Sequence, residues 1–353
     1  MLKKVNGFFS IVLLFLIVYF LFIKPEKLEF VQKYEIKNLP KVCGDINLGG
    51  FSDLFYKDGY LYAITDRGPN SDEFLQNEKT VRTFDCPNYS PYLVQFKLEE
   101  KEAKIIKATP IKSLSGIPVA EDKDSIPVDK KGKVIPFDLN GADVESFIID
   151  KNGNYWLAEE YYPSIIKLDK NLKVIKRFAP KDSIVKNSNI TYNLPEKFNK
   201  IKKNKGFESM AYDGDENIYV FTQSGIENEQ NISILKFNIK TETPEDVSEY
   251  VFYKDSIMSG ATFVDGKFYV TERLLSKHFI NEIGLKDVVY KRTNLLRPLT
   301  SADKITKNIK IEGIAKNGDN IYIINDNDFG IDNVNTKESF IIQYKLSNKK
   351  SKQ

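Results

Sequence analysis

Carboxylates recur in this chain near the two ends of segments centred on Asp-Gly or Asn-Gly pairs: Asp66, Asp143 and Glu145, Glu159 and Glu160, Glu208, Glu272, Glu312, Asp326 and Asp328. Acids that converge on one site repel each other unless a cation or an arginine neutralises them. Hard oxygen ligands of this kind suit Ca²⁺, with Mg²⁺ as the alternative. Glu145, Glu160, Glu208, Glu312, Asp326 and Asp328 are the expected metal ligands. Arg67 and Arg273 share the acid-bearing positions, and a guanidinium fork matches phosphate or carboxylate. Glu145, Glu160, Arg67 and Arg273 form the expected catalytic set. The plainer alternative is that the acids cap strand ends and that each arginine pairs with them.

Absences narrow the chemistry. His278 is the sole histidine, so a His-rich zinc site is excluded and a Ser-His-Asp triad would have to use that one imidazole. No G-x-S-x-G elbow accompanies it, and His278 is expected in a loop. Neither a P-loop nor a dinucleotide fingerprint occurs. The stretch Asp326-Asn327-Asp328-Phe329-Gly330 is not an EF-hand, because Gly comes one place early and Lys337 stands where the bidentate Glu belongs.

The elements that must position these residues repeat five times, from Gly49, Asp143, Gly206, Ser259 and Ile311. Each copy runs from a polar residue through an apolar run, a turn, and a Tyr- or Trp-bearing apolar run to a second polar cluster. Asp58-Gly59, Asn152-Gly153, Asp213-Gly214, Asp265-Gly266 and Asn317-Gly318 supply the turns of β-hairpins. Each hairpin brings its polar ends together, as Glu145 with Glu160 or Glu312 with Asp326. Apolar runs at Tyr92 to Leu98, Ser164 to Asp169, Ile232 to Ile239 and Ser339 to Leu346 read as further strands of four-stranded units. The fold class is therefore all-β, a β-propeller. Six four-stranded blades are expected, the sixth from Val288 to Leu299 or from the termini.

In these phrases the chain resembles the family called esterase-like activity of phytase. The matching residues are Gly49-Gly50-Phe51-Ser52, Thr65-Asp66-Arg67-Gly68-Pro69-Asn70, Asp143-Val144-Glu145, Glu159-Glu160-Tyr161, Leu194-Pro195, Gly206-Phe207-Glu208, Glu272-Arg273, Ile311-Glu312-Gly313 and Asn325 to Gly330. The resemblance spans about residues 45 to 345. It implies a propeller, export in many members, and hydrolysis of esters, phosphate esters included. The chain departs from the family in Ser146 and Ser209, where Gly is usual, in Asp53 for a small residue, and in Leu274 where an acid is common. Side chains in place of the glycines would narrow the mouth or add hydroxyl ligands.

Charge and cysteines set the remaining expectations. The formal charge of +3 comes from 52 basic against 49 acidic residues, and Lys3, Lys4 and Lys24 carry it. A neutral body without a basic face argues against a nucleic-acid partner. Lys3 and Lys4 precede an apolar run from Phe8 to Ile23, and no small-x-small cleavage site follows, so residues 1–24 read as a signal or, preferably, an uncleaved anchor helix. The body would then be extracytoplasmic, in periplasm or at the cell surface, held to the membrane by residues 8–23. Residues 25–40 read as linker, 41–348 as propeller and 349–353 as tail. Cys43 and Cys86 read as a disulfide worth about 3 to 4 kcal/mol, or as two buried thiols. The function expected is a divalent-metal-dependent hydrolase of small anionic esters or phosphoesters. The alternatives are a propeller that binds a surface ligand or protein through residues 176–205 and 276–299, and a calcium-dependent lactonase-like enzyme.

Overall fold

The structure is a computed structural model that describes residues 27–120, 125–186, 189–227, 229–251, 255–274, 277–284, 291–298, 309–331 and 337–347. The expected anchor, residues 1–24, and the tail, residues 349–353, lie outside the described residues. Within them the chain is all-β, interrupted by the 3-10 turns Glu196–Lys200 and Asp328–Gly330. No helix among the described residues is long and apolar enough to cross a membrane.

Five antiparallel sheets repeat one plan. The innermost strands are Phe51–Lys57, Val144–Ile149, Phe207–Tyr212, Ile257–Val264 and Lys310–Asn317. Each hairpins into a second strand: Tyr60–Thr65, Tyr155–Glu159, Asn217–Thr222, Lys267–Leu274 and Asn320–Asp326. The runs read as further strands supply third strands, Tyr92–Glu99, Ser164–Leu168, Ile232–Asn238 and Phe340–Ser347. Tight turns join the hairpins: Asp58 and Gly59 lie at φ +50° and +83°, and Asp265 and Gly266 at +54° and +75°, as a type I′ turn requires.

Both faces of each sheet are covered, which is why the second strands read as continuous apolar runs. In Asn217–Thr222, Ile218 and Val220 join Trp156 and Ala158 of the sheet before, while Tyr219 and Phe221 join Phe268 and Val270 of the sheet after. The same alternation yields five buried clusters, one between each successive pair of sheets, and the last joins Tyr322 and Ile324 back to Leu54 and Ala63. The innermost strands contact one another in the same closed cycle. At Gly313 an added Cβ would stand 2.5 Å from the Leu54 nitrogen, so glycine is what lets the fifth inner strand approach the first.

The circle therefore closes with five blades among the described residues, not six. The stretch expected to hold a sixth contains Lys291–Pro298, which is the outer strand of the fourth blade and pairs with Lys277–Gly284. The expected linker is likewise corrected, because Lys27–Glu35 pairs antiparallel with Phe340–Ser347 and completes the fifth blade. The N-terminal strand thus closes a blade begun at the C-terminal end, and Leu28 enters that blade's core. Residues 176–205 and 276–299, read as contact loops, likewise contribute strands, including Ile190–Leu194 parallel to Val174–Pro180. His278 lies in a strand opposite Arg273, buried, rather than in a loop. Burial and the neighbouring Arg273 push its imidazole down to about 4.

Among the described residues two small sheets belong to no blade, the pair Lys41–Cys43 with Ile46–Asn47 and a larger cap. Phe74–Gln76 and Lys79–Thr83, inserted between the second and third strands of the first blade, form a three-stranded cap with Ile126–Val128, which follows that blade's outer strand Glu102–Pro110. Cys43 and Cys86 are joined by a disulfide at its base.

Candidate functional site

All five innermost strands break register at the same place. Pairing with the second strand slips between Phe51 and Asp53, Val144 and Ser146, Phe207 and Ser209, Met258 and Gly260, and Ile311 and Gly313. The residues passed over are Ser52, Glu145, Glu208, Ser259 and Glu312. A bulge re-aims the side chain it passes over, and here it gathers three glutamates toward the axis. Facing them, one residue beyond the last paired residue of each second strand or at its end, stand Asp66, Glu160, Gln223, Arg273 and Asp326. Two residues before the bulge stand Gly50, Asp143, Gly206, Ile257 and Lys310, whose backbones pair with that second set.

Strand alternation separates residues that are neighbours in sequence. Glu159 and Glu272, grouped by sequence with the mouth acids, lie one residue before Glu160 and Arg273 and turn into their own blades. Glu159 accepts from the Tyr161 and Tyr162 nitrogens at 3.0 and 3.1 Å and from Ser164 Oγ at 3.2 Å. Burial pushes its carboxyl up to about 7 against the opposing charge of Arg177. Glu272 accepts from Tyr250 and from Asn281 Nδ2 at 2.7 Å. Thr65, Thr222 and Asn325 occupy the same position and accept the Tyr92, Ser233 and Phe340 nitrogens at 2.8, 3.0 and 2.8 Å. This position fastens the third strand and does not serve the mouth.

Asp53, Ser146 and Ser209 also lie off the mouth. Asp53 is buried, accepts from Ser146 Oγ, the Leu54 nitrogen at 2.8 Å and the Phe147 nitrogen at 3.2 Å, and Ser146 Oγ in turn accepts the Met210 nitrogen at 2.8 Å. Asp53 and Ser146 thus tie the first three inner strands together, whereas Ser209 Oγ is buried without a hydrogen-bond partner among the described residues, and none of the three lines the cavity. Burial raises the Asp53 carboxyl to about 8 despite these donors.

The mouth opens into a cavity of about 770 Å³ lined by Glu145, Glu160, Glu208, Glu312, Asp66, Asp328, Arg67, Arg273, Lys205 and Lys310 among others. On its second- and third-blade side, one oxygen each of Asp143, Glu145 and Glu160 lie within 4.8 Å of one another. Gln223 Nε2 donates to Glu160 Oε1 at 2.8 Å and to Glu208 Oε2 at 2.7 Å, so a single amide spans two acids. Lys205 donates to the carbonyl end of that amide. Arg67 Nη1 stands 2.6 Å from Asp143 Oδ2 and also donates to Asn204, while its guanidinium lies 5.4 Å from the centre of the Tyr161 ring. Burial and then the neighbouring acids, Asp143 first for Glu145 and Glu208 first for Glu160, push both glutamates well above the usual range. For Glu208 the same causes, burial and then Glu312, reach about 7.

The fifth-blade side is neutralised from within. Lys310 Nζ sits 2.5 Å from Asp326 Oδ2, 3.3 Å from Glu312 Oε1 and 3.5 Å from Asp328 Oδ1. Arg273 Nη1 lies 2.5 Å from Glu312 Oε1. Asp326 is pushed up to about 7 by burial, partly offset by Lys310. The six expected metal ligands thus divide: Glu145, Glu160 and Glu208 line one side and Glu312, Asp326 and Asp328 meet Lys310 on the other. Sequence reasoning named Asp143 as an acid but left it out of the ligand set, and it missed Lys310 and Lys205. Alignment of the five copies carries the signal for Lys310, since it falls at Asp143's position in the last copy.

The Phytase-like family model, described as esterase-like activity of phytase, matches residues 46–329. The chain belongs to this family. No curated protein matches the phytase-like chain in sequence. Similar solved structures include the PQQ-bound aldose sugar dehydrogenase of Streptomyces coelicolor, at 8% identity and TM-score 0.43 over 92% of this chain and 99% of that one. An inactive virginiamycin B lyase of Staphylococcus aureus with quinupristin is similar at 11% identity and TM-score 0.41, over 92% and 100%. An exo-β-1,3-galactanase of Phanerochaete chrysosporium with galactose reaches TM-score 0.49 at 9% identity, and the match covers 90% of this chain and 64% of that one. Likenesses this distant bear on no chemistry.

Proposed function

We propose that this phytase-like chain is a divalent-metal-dependent hydrolase of small anionic esters, phosphoesters among them, acting at the acidic mouth of the propeller. The observation that carries the reading is the Asp143, Glu145 and Glu160 cluster, whose ligand atoms lie within 4.8 Å of one another, beside two arginines in one cavity. Oxygens that share a Ca²⁺ at about 2.4 Å stand up to about 4.8 Å apart, whereas Mg²⁺ at about 2.1 Å holds them closer. Calcium is therefore the better fit. Asp143 Oδ2 is buried without a hydrogen-bonding group other than the Arg67 ion pair, which leaves a lone pair for a cation.

When bound, the ion would polarise the ester or phosphoryl oxygen and offset the charge that develops there. The chain's own groups do the rest. Asp143, Glu145 and Glu160 hold the cation, and Arg67 and Arg273 face the cavity with donors for an anionic group. Glu208, linked to Glu160 through Gln223, is placed to accept the proton of the attacking water. The disulfide supports an extracytoplasmic site, with the chain held to the membrane through residues 8–23.

The test is calcium calorimetry on the full chain, paired with hydrolysis of an aryl phosphate and an aryl acetate with and without chelator. One calcium per chain and chelator-sensitive turnover are expected. Absence of both calcium heat and turnover sinks the reading.

A further inference from the structure

Three guanidinium groups line the cavity, from Arg67, Arg82 and Arg273. Two have their charge offset by a buried acid, Arg67 by Asp143 at 2.6 Å and Arg273 by Glu312 at 2.5 Å. Arg82 is different. Its side chain is only 15% exposed, its Nη1 donates to the neutral Asn70 Oδ1 at 2.9 Å, and its ion-pair partner is Glu73 at 3.2 Å, which is 40% exposed. Solvent screens a pair with a partner that open, so most of the Arg82 charge remains available to the cavity.

Arg82 also comes from outside the repeat. It sits on the middle strand of the cap, Lys79–Thr83, between Phe74–Gln76 and Ile126–Val128. That strand is fastened to the mouth. The Ser71 nitrogen donates to the Thr83 carbonyl at 2.9 Å, and the Thr83 nitrogen donates to Ser71 Oγ at 3.0 Å. Asn70, which takes the guanidinium, is itself held by Nδ2 on the Gly68 carbonyl at 2.8 Å, and the Gly68 nitrogen donates to Asp66 Oδ1 at 2.8 Å. Just beyond, the Cys86–Cys43 disulfide ties the cap's exit to a small cluster with Tyr89 and Phe329. The Arg82 charge bears on the Tyr161 phenol, the ring on which Arg67 also stacks. Two guanidinium groups thus approach one corner of the cavity, and only one of them is held by a buried carboxylate.

We infer that Arg82 determines specificity for an anionic substrate: it binds the charged group of the ester at the cap side of the cavity, next to the cluster of Asp143, Glu145 and Glu160. The inference rests on the ester-hydrolase reading and adds a residue and a charge requirement to it. A group that binds the anion in ground state and transition state alike changes KM rather than kcat.

The test uses the full chain, wild type, Arg82→Gln and Arg82→Lys, with inorganic phosphate as the probe in calorimetry under excess calcium. Phosphate affinity is expected to fall about tenfold in Arg82→Gln, on the scale of one charge-assisted contact, with part restored in Arg82→Lys. Thermal midpoints close to wild type check that each variant folds. In turnover, Arg82→Gln is expected to raise KM for the aryl phosphate and leave the neutral aryl acetate unchanged. Equal phosphate affinity in wild type and Arg82→Gln, or no phosphate binding by wild type, overturns the inference. Failure of the hydrolase reading looks different: phosphate binding that depends on Arg82 with no chelator-sensitive turnover would leave Arg82 as an anion-binding residue and remove the enzyme.

Discussion

The two sides of the mouth are built on the same backbone and solve the same electrostatic problem in opposite ways. In the second blade Asp143 stands two residues before the bulged Glu145 and pairs through its backbone with Glu160. In the fifth blade Lys310 stands two residues before the bulged Glu312 and pairs with Asp326. One exchange of sign at an equivalent position gives one side a resident ammonium and leaves the other a cluster of acids whose buried partner, Arg67, serves Asp143 alone among them by ion pair. The acidic side is therefore the one that needs an external cation. Repeats fix where the groups point, and a single non-repeated residue decides whether the pocket so formed is self-sufficient.

The largest test is to remove the resident cation. Lys310→Ala leaves Asp326, Glu312 and Asp328 without their shared partner. Removing one member of a buried charge cluster typically costs about 3–5 kcal/mol, and Lys310 is partly exposed, so the lower end is expected in chemical denaturation without calcium. The cluster would then resemble the other side, and calcium stoichiometry by calorimetry is expected to rise from one to two, with calcium restoring most of the lost stability. Unchanged stoichiometry would show that the sign of the residue at position 310 does not decide whether the fifth-blade acids bind a cation.

Next in size is the converse change. Glu145→Gln keeps the shape of the bulged side chain and removes one of three charges from the calcium cluster. Calcium affinity is expected to fall about 100-fold, the upper range for disturbing a metal site's surroundings. Without calcium the same variant is expected to be more stable than wild type, because the carboxyl it removes is opposed by burial and by Asp143, Glu208 and Glu160. A variant that is weakened both with and without calcium would make Glu145 a structural acid and not a ligand.

These contrasts explain what could be read from the sequence. Hairpin turns at Asp58-Gly59 or Asp265-Gly266 are local, since two positive-φ residues suffice to announce them, and the propeller followed from their recurrence. Blade number was not local. The sequence points to a sixth blade at Val288 to Leu299 or from the termini, with residues 25–40 as linker, whereas Lys27–Glu35 and Lys291–Pro298 close existing blades by pairing with strands far away in sequence or one hairpin back. At the mouth, the recurrence of Glu145, Glu208 and Glu312 was legible, but the bulge that turns them to the axis was not. Without the register, Glu159 and Glu160 look alike, and only the alternation of the strand sends one into the blade and the other to the cavity. Lys310 lies one residue before the repeated phrase, which begins at Ile311, and Arg82 belongs to the cap and to no repeat, so recurrence marks neither.

The smallest expected effect, and the one that compares both sides in a single curve, is the pH dependence of stability without calcium. Glu208 on one side and Asp326 on the other are both raised to about 7, chiefly by burial, against roughly 4 in an unfolded chain. Between those values the folded protein holds more protons than the unfolded one, so stability falls as pH rises through that window and levels off above the folded values. A urea midpoint that declines between about pH 4 and 7 is therefore expected in the calcium-free protein, with a loss on the order of 1–2 kcal/mol after allowing for partial relaxation. Calcium should flatten the part of the slope that comes from the acidic side, because a bound cation favours the ionised carboxylates and removes their proton uptake on folding. The residual slope then belongs to Asp326 and its neighbours, which Lys310 does not fully compensate. Without calcium, Lys310→Ala should steepen the slope and Glu145→Gln should not. If calcium leaves the slope untouched, or if Glu145→Gln and Lys310→Ala change it alike, the mouth titrates as one undivided cluster and the contrast between its two sides fails.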